Sequence, residues 1–351
     1  MQIKDGNMKR FSIYLAWCVI LLVYSGCDAR RKIQIYDLNN RNVVAILDNV
    51  FSESNGREIF ENNFDFKSKT FATCQRMAGK KMTVLRQYAF DGEMLSYWNI
   101  PEAIYHDQNF SIRNNHFFYT DSLRNVVGEY KKYLMVCQLS AHASPRVILS
   151  PNPLIQSLAS CQDPPFIFLR DDTLLCLVEQ DEDDRMLQLW KITLEGDKTL
   201  LPERVDRLSM NNCLSSDFSG MYHAVQLNRH DVLFFDSEVN RVAQLSVDFP
   251  VHRTWWDENH LYWVYDFLGG AYLCYDVGER RIVKQGSLTG ENDVYVGPFF
   301  AGQYVVIKKR LFMGFFRTTI QDLSGNHIAT LPWMTSQVFY LGDGQLLIEE
   351  Q

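Results

Sequence analysis

The sequence predicts an all-β fold, a β-propeller of about seven four-stranded blades closed by strands from both termini. Three observations carry this expectation. One strand–turn–strand pattern recurs four times. The apolar runs elsewhere are short and strand-like, and only Glu58–Phe64 shows a trace of helical periodicity. The two ends of the chain supply complementary parts of one blade.

The segments Ile35–Leu47, Phe234–Leu245, Cys274–Lys284 and Ile320–Leu331 each place an aspartate at their third position: Asp37, Asp236, Asp276 and Asp322. Six residues later stands Val43, Val242, Ile282 or Ile328, followed at once by Ala or Val. A strand that ends at the aspartate lets the carboxylate accept bonds from turn amides. Polar residues and glycine make the connection, and the β-branched position opens the next strand. Asp236 and Asp276 lie 40 residues apart, and Asp276 and Asp322 46 apart, which suits one four-stranded blade per repeat.

Weaker copies fit between these. Met135–Leu149 and Leu187–Leu201 show paired apolar strands with variable turns, and Phe90–Glu93 joins Met82–Ala89 to Met94–Ile100. Inner strands precede several hairpins, most clearly Phe166–Leu169 with Thr173–Val178, and Tyr295–Phe300 with Tyr304–Lys308. The count of outer hairpins is seven, with spacings that also accommodate six or eight blades. The chain ends in two inner-type strands, Gln337–Leu341 and Gln345–Glu349, with no outer hairpin after them. It begins, near Lys32, with an outer hairpin that lacks inner strands. Joining the two closes the ring and leaves no open strand edge. The pattern resembles the outer hairpin of WD-repeat propellers, with Tyr-Asp, Phe-Asp or Gln-Asp where that family has Trp-Asp.

Residues 1–26 form a different kind of segment. Lys4, Lys9 and Arg10 oppose one acid, Asp5, and an apolar run from Phe11 to Tyr24 is broken only by Ser12. A basic start, a short apolar core and small residues before a cut site describe a secretory signal. The run is shorter than the roughly 20 apolar residues that span a bilayer. Met8 begins a more usual signal start than Met1. Ser25-Gly26-Cys27 resembles the lipobox of bacterial lipoproteins, with Tyr24 where an aliphatic residue is usual. That resemblance implies acylation of Cys27, a tether over 27–31 and a propeller over 32–351, exported and held at the cell envelope. The plainer readings are a cleaved signal with a chance cysteine and an uncleaved anchor helix.

The whole chain carries −7, and residues 1–26 contribute +2, so the remainder carries −9. That balance argues against a nucleic-acid partner and gives no broad basic surface for an acidic membrane. Six cysteines follow Cys27, none in a CxxC pair. Cys176 and Cys274 read as small buried residues, and Cys161 with Cys213 as a loop bridge an oxidising compartment would permit.

Candidate chemistry is sparse. Asp181, Asp183 and Asp184 belong to an acidic run that reads as a solvated hairpin tip or as a calcium ligand set. The glycine and terminal glutamate of an EF-hand loop are missing. Trp255 and Trp256 read as inter-blade packing or as an aromatic binding rim for a peptide or glycan. The eight histidines show no metal-ligand spacing, and the chain has no GxSxG elbow, phosphate loop or GxGxxG. No catalytic residue, metal or cofactor is assigned. The expectation is a membrane-anchored lipoprotein whose propeller binds a protein, glycan or other ligand. The alternative is a propeller hydrolase or lyase acting on glycans or peptides, with acids from several blades in its channel.

Overall fold

The computed structural model describes residues 32–47, 63–76, 83–100, 110–124, 130–139, 146–147, 165–179, 185–207, 213–288, 294–311, 316–332 and 335–350. These form seven four-stranded antiparallel sheets. In chain order, blade 1 runs from Phe64–Asp65 to Met94–Ile100, and blade 2 from Phe110–Arg113 to Arg146–Val147. Blade 3 runs from Phe166–Arg170 to Lys198–Asp206, and blade 4 from Leu214–Ser216 to Arg241–Ser246. Blade 5 runs from Arg253–Trp256 to Arg281–Ser287, and blade 6 from Val294–Phe300 to His327–Thr330. Residues 58–62 lie outside the described residues, and Phe64 opens a strand.

Blade 7 is built from both ends. Its inner strands are Thr335–Gly342 and Gln345–Glu350, and its outer strands are Lys32–Asp37 and Asn42–Leu47. Ile35 faces Leu347, and Lys32 faces Glu350, in one antiparallel ladder. The strand counts, the blade number and the closure therefore follow the sequence pattern.

The repeated aspartates work as the pattern implies. Asp37 Oδ1 accepts from the amides of Asn39 and Asn40, Asp236 Oδ1 from Glu238 and Asn240, and Asp322 Oδ1 from Ser324 and Asn326. Asp276 takes the amide of Glu279. The outer strand starts one residue before the β-branched position, at Asn42, Arg241, Arg281 and His327. All four hairpins also carry a bulge just before the aspartate, between Ile35/Tyr36, Phe234/Phe235, Cys274/Tyr275 and Ile320/Gln321. In each, the extra residue lies on the outer strand, at Val44, Val242, Val283 or Ile328, so two residues there oppose one on the partner.

The core lies between blades. Tyr262, Val264 and Phe234 pack blade 5 against blade 4, and Trp263, Tyr272 and Phe299 pack it against blade 6. Polar clamps fix these joints. Asp257 is buried and accepts from the amides of Ala301 and Gly302 in blade 6 at 2.8 and 2.7 Å. His260 Nδ1 lies 2.7 Å from Asp217 of blade 4. Strand alternation gives the ring two faces. Turns after first and third strands, including the aspartate turns, share one face, here the turn face. The first and third strands start on the other. Lys32 starts a third strand, so the chain enters the propeller on that second face, here the entry face.

Candidate functional site

The first strands of the blades surround a central cavity of about 1200 Å³. Alternate side chains of a first strand point to the joints with its two neighbouring blades, and both sets border the cavity. In blade 5 this alternation divides the tryptophan pair. Trp256 is buried among Phe234 and Tyr262, and its indole N–H donates to Ser215 at 3.0 Å. Trp255 is half-buried on the cavity wall and leans on Phe299, with ring centres 5.5 Å apart.

One end of the cavity is filled by rings from turns of distant blades. Phe66 of blade 1 and Phe218 of blade 4 stack at 4.2 Å with a 12° interplanar angle. Phe90 meets Phe66 edge-on, and Tyr340 of blade 7 tilts against Phe218 at 5.8 Å. The stack lies on the turn face.

The polar groups of the wall are mostly committed. Arg113 is an ion-pair partner of Asp65, donates to the Phe64 carbonyl at 3.0 Å and lies 5.3 Å from the centre of the Phe168 ring. Burial pushes its guanidinium down to about 10 despite the field of Asp171, and its Nε has no partner among the described residues. Asp217 is buried and accepts from the amides of Met221 and Tyr222, from Ser219 and from His260. Asp172 accepts from Thr173. On the entry side, His252 faces Asp266 at 3.0 Å, and Arg253 donates to the Val296 carbonyl at 3.3 Å.

Ser216 and His223 are the closest approach to a nucleophile with a base. Ser216 Oγ lies 2.9 Å from His223 Nδ1 and 3.5 Å from the Phe168 carbonyl. His223 is fully buried, burial pushes its imidazole down to about 4, and its Nε2 has no partner among the described residues. The least costly arrangement has Nδ1–H donating to Ser216 and Ser216 donating to the carbonyl, with a bare nitrogen rather than an orphan N–H in the core. The histidine then supplies a proton to the serine and does not withdraw one.

Cys27 lies outside the described residues, as do Asp181, Asp183 and Asp184. The flanking strands Thr173–Val178 and Met186–Thr193 form the expected hairpin, and Glu179, which opens the acidic run, turns inward to Arg207 at 3.2 Å. Among the described residues no cluster of three His, Cys, Asp or Glu could hold a metal ion. Cys161 also lies outside the described residues, and with it the bridge to Cys213. Cys176 and Cys274 are buried thiols whose pKa burial raises. No described helix is long and apolar enough to cross a membrane.

The described residues define a seven-bladed β-propeller. No family model matches the chain, and no curated protein does. Among solved structures it is similar to the dihydro-heme d1 dehydrogenase NirN in complex with DHE, at TM-score 0.49 and 11% identity over 90% of this chain and 68% of that one. It is also similar to the Pseudomonas aeruginosa periplasmic gluconolactonase PpgL, at TM-score 0.46 and 11% identity over 86% of this chain and 95% of that one. At such identities neither likeness transfers an activity.

Proposed function

We propose that this chain is an envelope lipoprotein, anchored through Cys27, whose propeller is a binding scaffold that takes a ligand or a partner segment into its central cavity. The observation that carries the binding reading is the commitment of the two less exposed wall acids, Asp65 and Asp217, while Asp171 and Asp172 are exposed neighbours on one turn. Asp65 is held by Arg113, and Asp217 by two amides, a hydroxyl and a histidine. A glycosidase-type mechanism needs two carboxyl groups free to exchange protons or attack. A recognition wall instead needs aromatic surface and fixed polar groups, which Phe168, Trp255 and Arg113 supply.

The test is capture from membranes with the lipidated chain, beside its Trp255→Ala variant. A partner held by the first and lost from the second supports the scaffold. Turnover of a glycan or peptide by the purified chain, abolished in Ser216→Ala, overturns it in favour of an enzyme. The anchor is tested apart: Cys27→Ala should abolish fatty-acid labelling, and persistent labelling sinks the lipobox reading.

A further inference from the structure

The chain as a whole is acidic, yet cations collect at one corner of the entry face. In blade 6 the second strand ends Lys308-Lys309-Arg310 and the third begins Phe316-Arg317. Lys309, Arg310 and Arg317 are exposed, and Lys308 lies over the Phe316 ring at 4.6 Å. Lys309 and Arg317 sit directly opposite each other in the antiparallel register. Five residues connect these strands in sequence: Leu311, Phe312, Met313, Gly314 and Phe315.

Apolar groups stand beside the cations. Leu268, in the neighbouring turn of blade 5, is 79% exposed, and Phe267 and Tyr295 are 45% and 40% exposed. Phe267 stacks on Tyr295, and Tyr295 meets Phe316 edge-on. Arg253, also exposed, begins its strand on the same face. Asp266 is engaged with His252 and two turn amides, and Glu350 with Gln34. The acidic run that follows Val178 belongs to blade 3, three blades round the ring.

The chain enters blade 7, next to blade 6, on this same face. From Cys27 to Lys32 is five residues, a reach of roughly 18 Å at most. We propose that the entry-face corner of blades 5 and 6 docks on an anionic lipid surface, with Leu268, Phe267 and Phe316 at the interface and Lys309, Arg310 and Arg317 over the headgroups. The proposal rests on the anchored reading for its geometry. One acyl chain binds membranes marginally while two or more anchor stably, and basic residues near the surface add to either attraction. The aspartate turns then point away from the bilayer.

The test is vesicle partitioning of the lipidated chain, with phosphatidylcholine alone or mixed with phosphatidylglycerol. Partitioning should rise about tenfold or more with phosphatidylglycerol at low salt, and the gain should fade at high salt. The triple variant Lys309→Gln, Arg310→Gln, Arg317→Gln should lose the gain and keep its phosphatidylcholine baseline. Leu268→Asp, on a separate loop, should reduce the gain independently. An equal gain for wild type and both variants overturns the proposal. So does the absence of any gain while an acidic protein is captured through the same residues, which makes the corner a protein surface. Loss of the phosphatidylcholine baseline with the gain intact removes the Cys27 anchor and leaves the docking corner standing.

Discussion

Phe66 and Phe218 stack face to face at 4.2 Å although they belong to blades 1 and 4. Their contact crosses the axis of the ring, so it ties together blades that share no sheet and no common joint. Aromatic pairs contribute about 0.5–1.5 kcal/mol beyond their buried area. A double-mutant cycle with Phe66→Leu and Phe218→Leu should return a coupling of about 1 kcal/mol in denaturant unfolding. Additivity of the two would mean that the rings are independent neighbours.

Removing the partner of a buried cation costs more than removing the cation. Asp65→Asn leaves Arg113 on the cavity wall with its carboxylate gone, and should destabilise by about 3 kcal/mol. Arg113→Met, which replaces the guanidinium with an apolar chain of similar reach, should cost less. The reverse order in chemical denaturation would show that Asp65 holds the Ser68 turn rather than the guanidinium.

His223 makes stability depend on pH. Its folded pKa is near 4, below the ordinary 6.5, so between these values the unfolded chain binds the extra proton. The contribution is complete above pH 6.5 and is lost as the pH falls through 4. Over that window it amounts to about 3 kcal/mol. His223→Gln should flatten the corresponding slope in unfolding free energy measured from pH 7 to 4, and an unchanged slope would assign it to other groups.

Two aspartate turns place the same position in the left-handed region with different residues. Gly325 has φ +86° with open space around it, and Val239 has φ +71°. A β-branched residue there is strained. Gly325→Val should destabilise by about 1–2 kcal/mol, read as a lowered thermal midpoint. Val239→Gly should change it far less, because relief of strain offsets the loss of contacts to the blade 3–4 core.

The repeat was legible because it is local. Asp236, its turn amides and Val242 lie within one hairpin, so spacing alone reveals them. Blade closure was legible because Gln345–Glu350 and Lys32–Asp37 are each strand-like and each have a sequence-adjacent partner on one edge only. The cavity was not legible. Arg113, Asp65, Ser216, His223 and Phe218 come from different strands and blades, and each is an ordinary polar or aromatic residue in its own segment. Alternation showed that Trp255 and Trp256 must point opposite ways, but not which neighbouring blade each one meets. The cationic corner was hidden by net charge, which sums over all seven blades and says nothing of where Lys309, Arg310 and Arg317 meet.

The seam in blade 7 sets a clock. The hairpin Lys32–Leu47 emerges first in synthesis, and its neighbour begins at Thr335. At about 10 residues per second, roughly half a minute separates them. Throughout that interval the inner edge of Lys32–Asp37 is an unpaired template on which a second nascent chain can pair as readily as Gln345–Glu350. The ring is therefore most vulnerable before it exists, and a chaperone that shields residues 32–37 would raise yield without touching the finished fold.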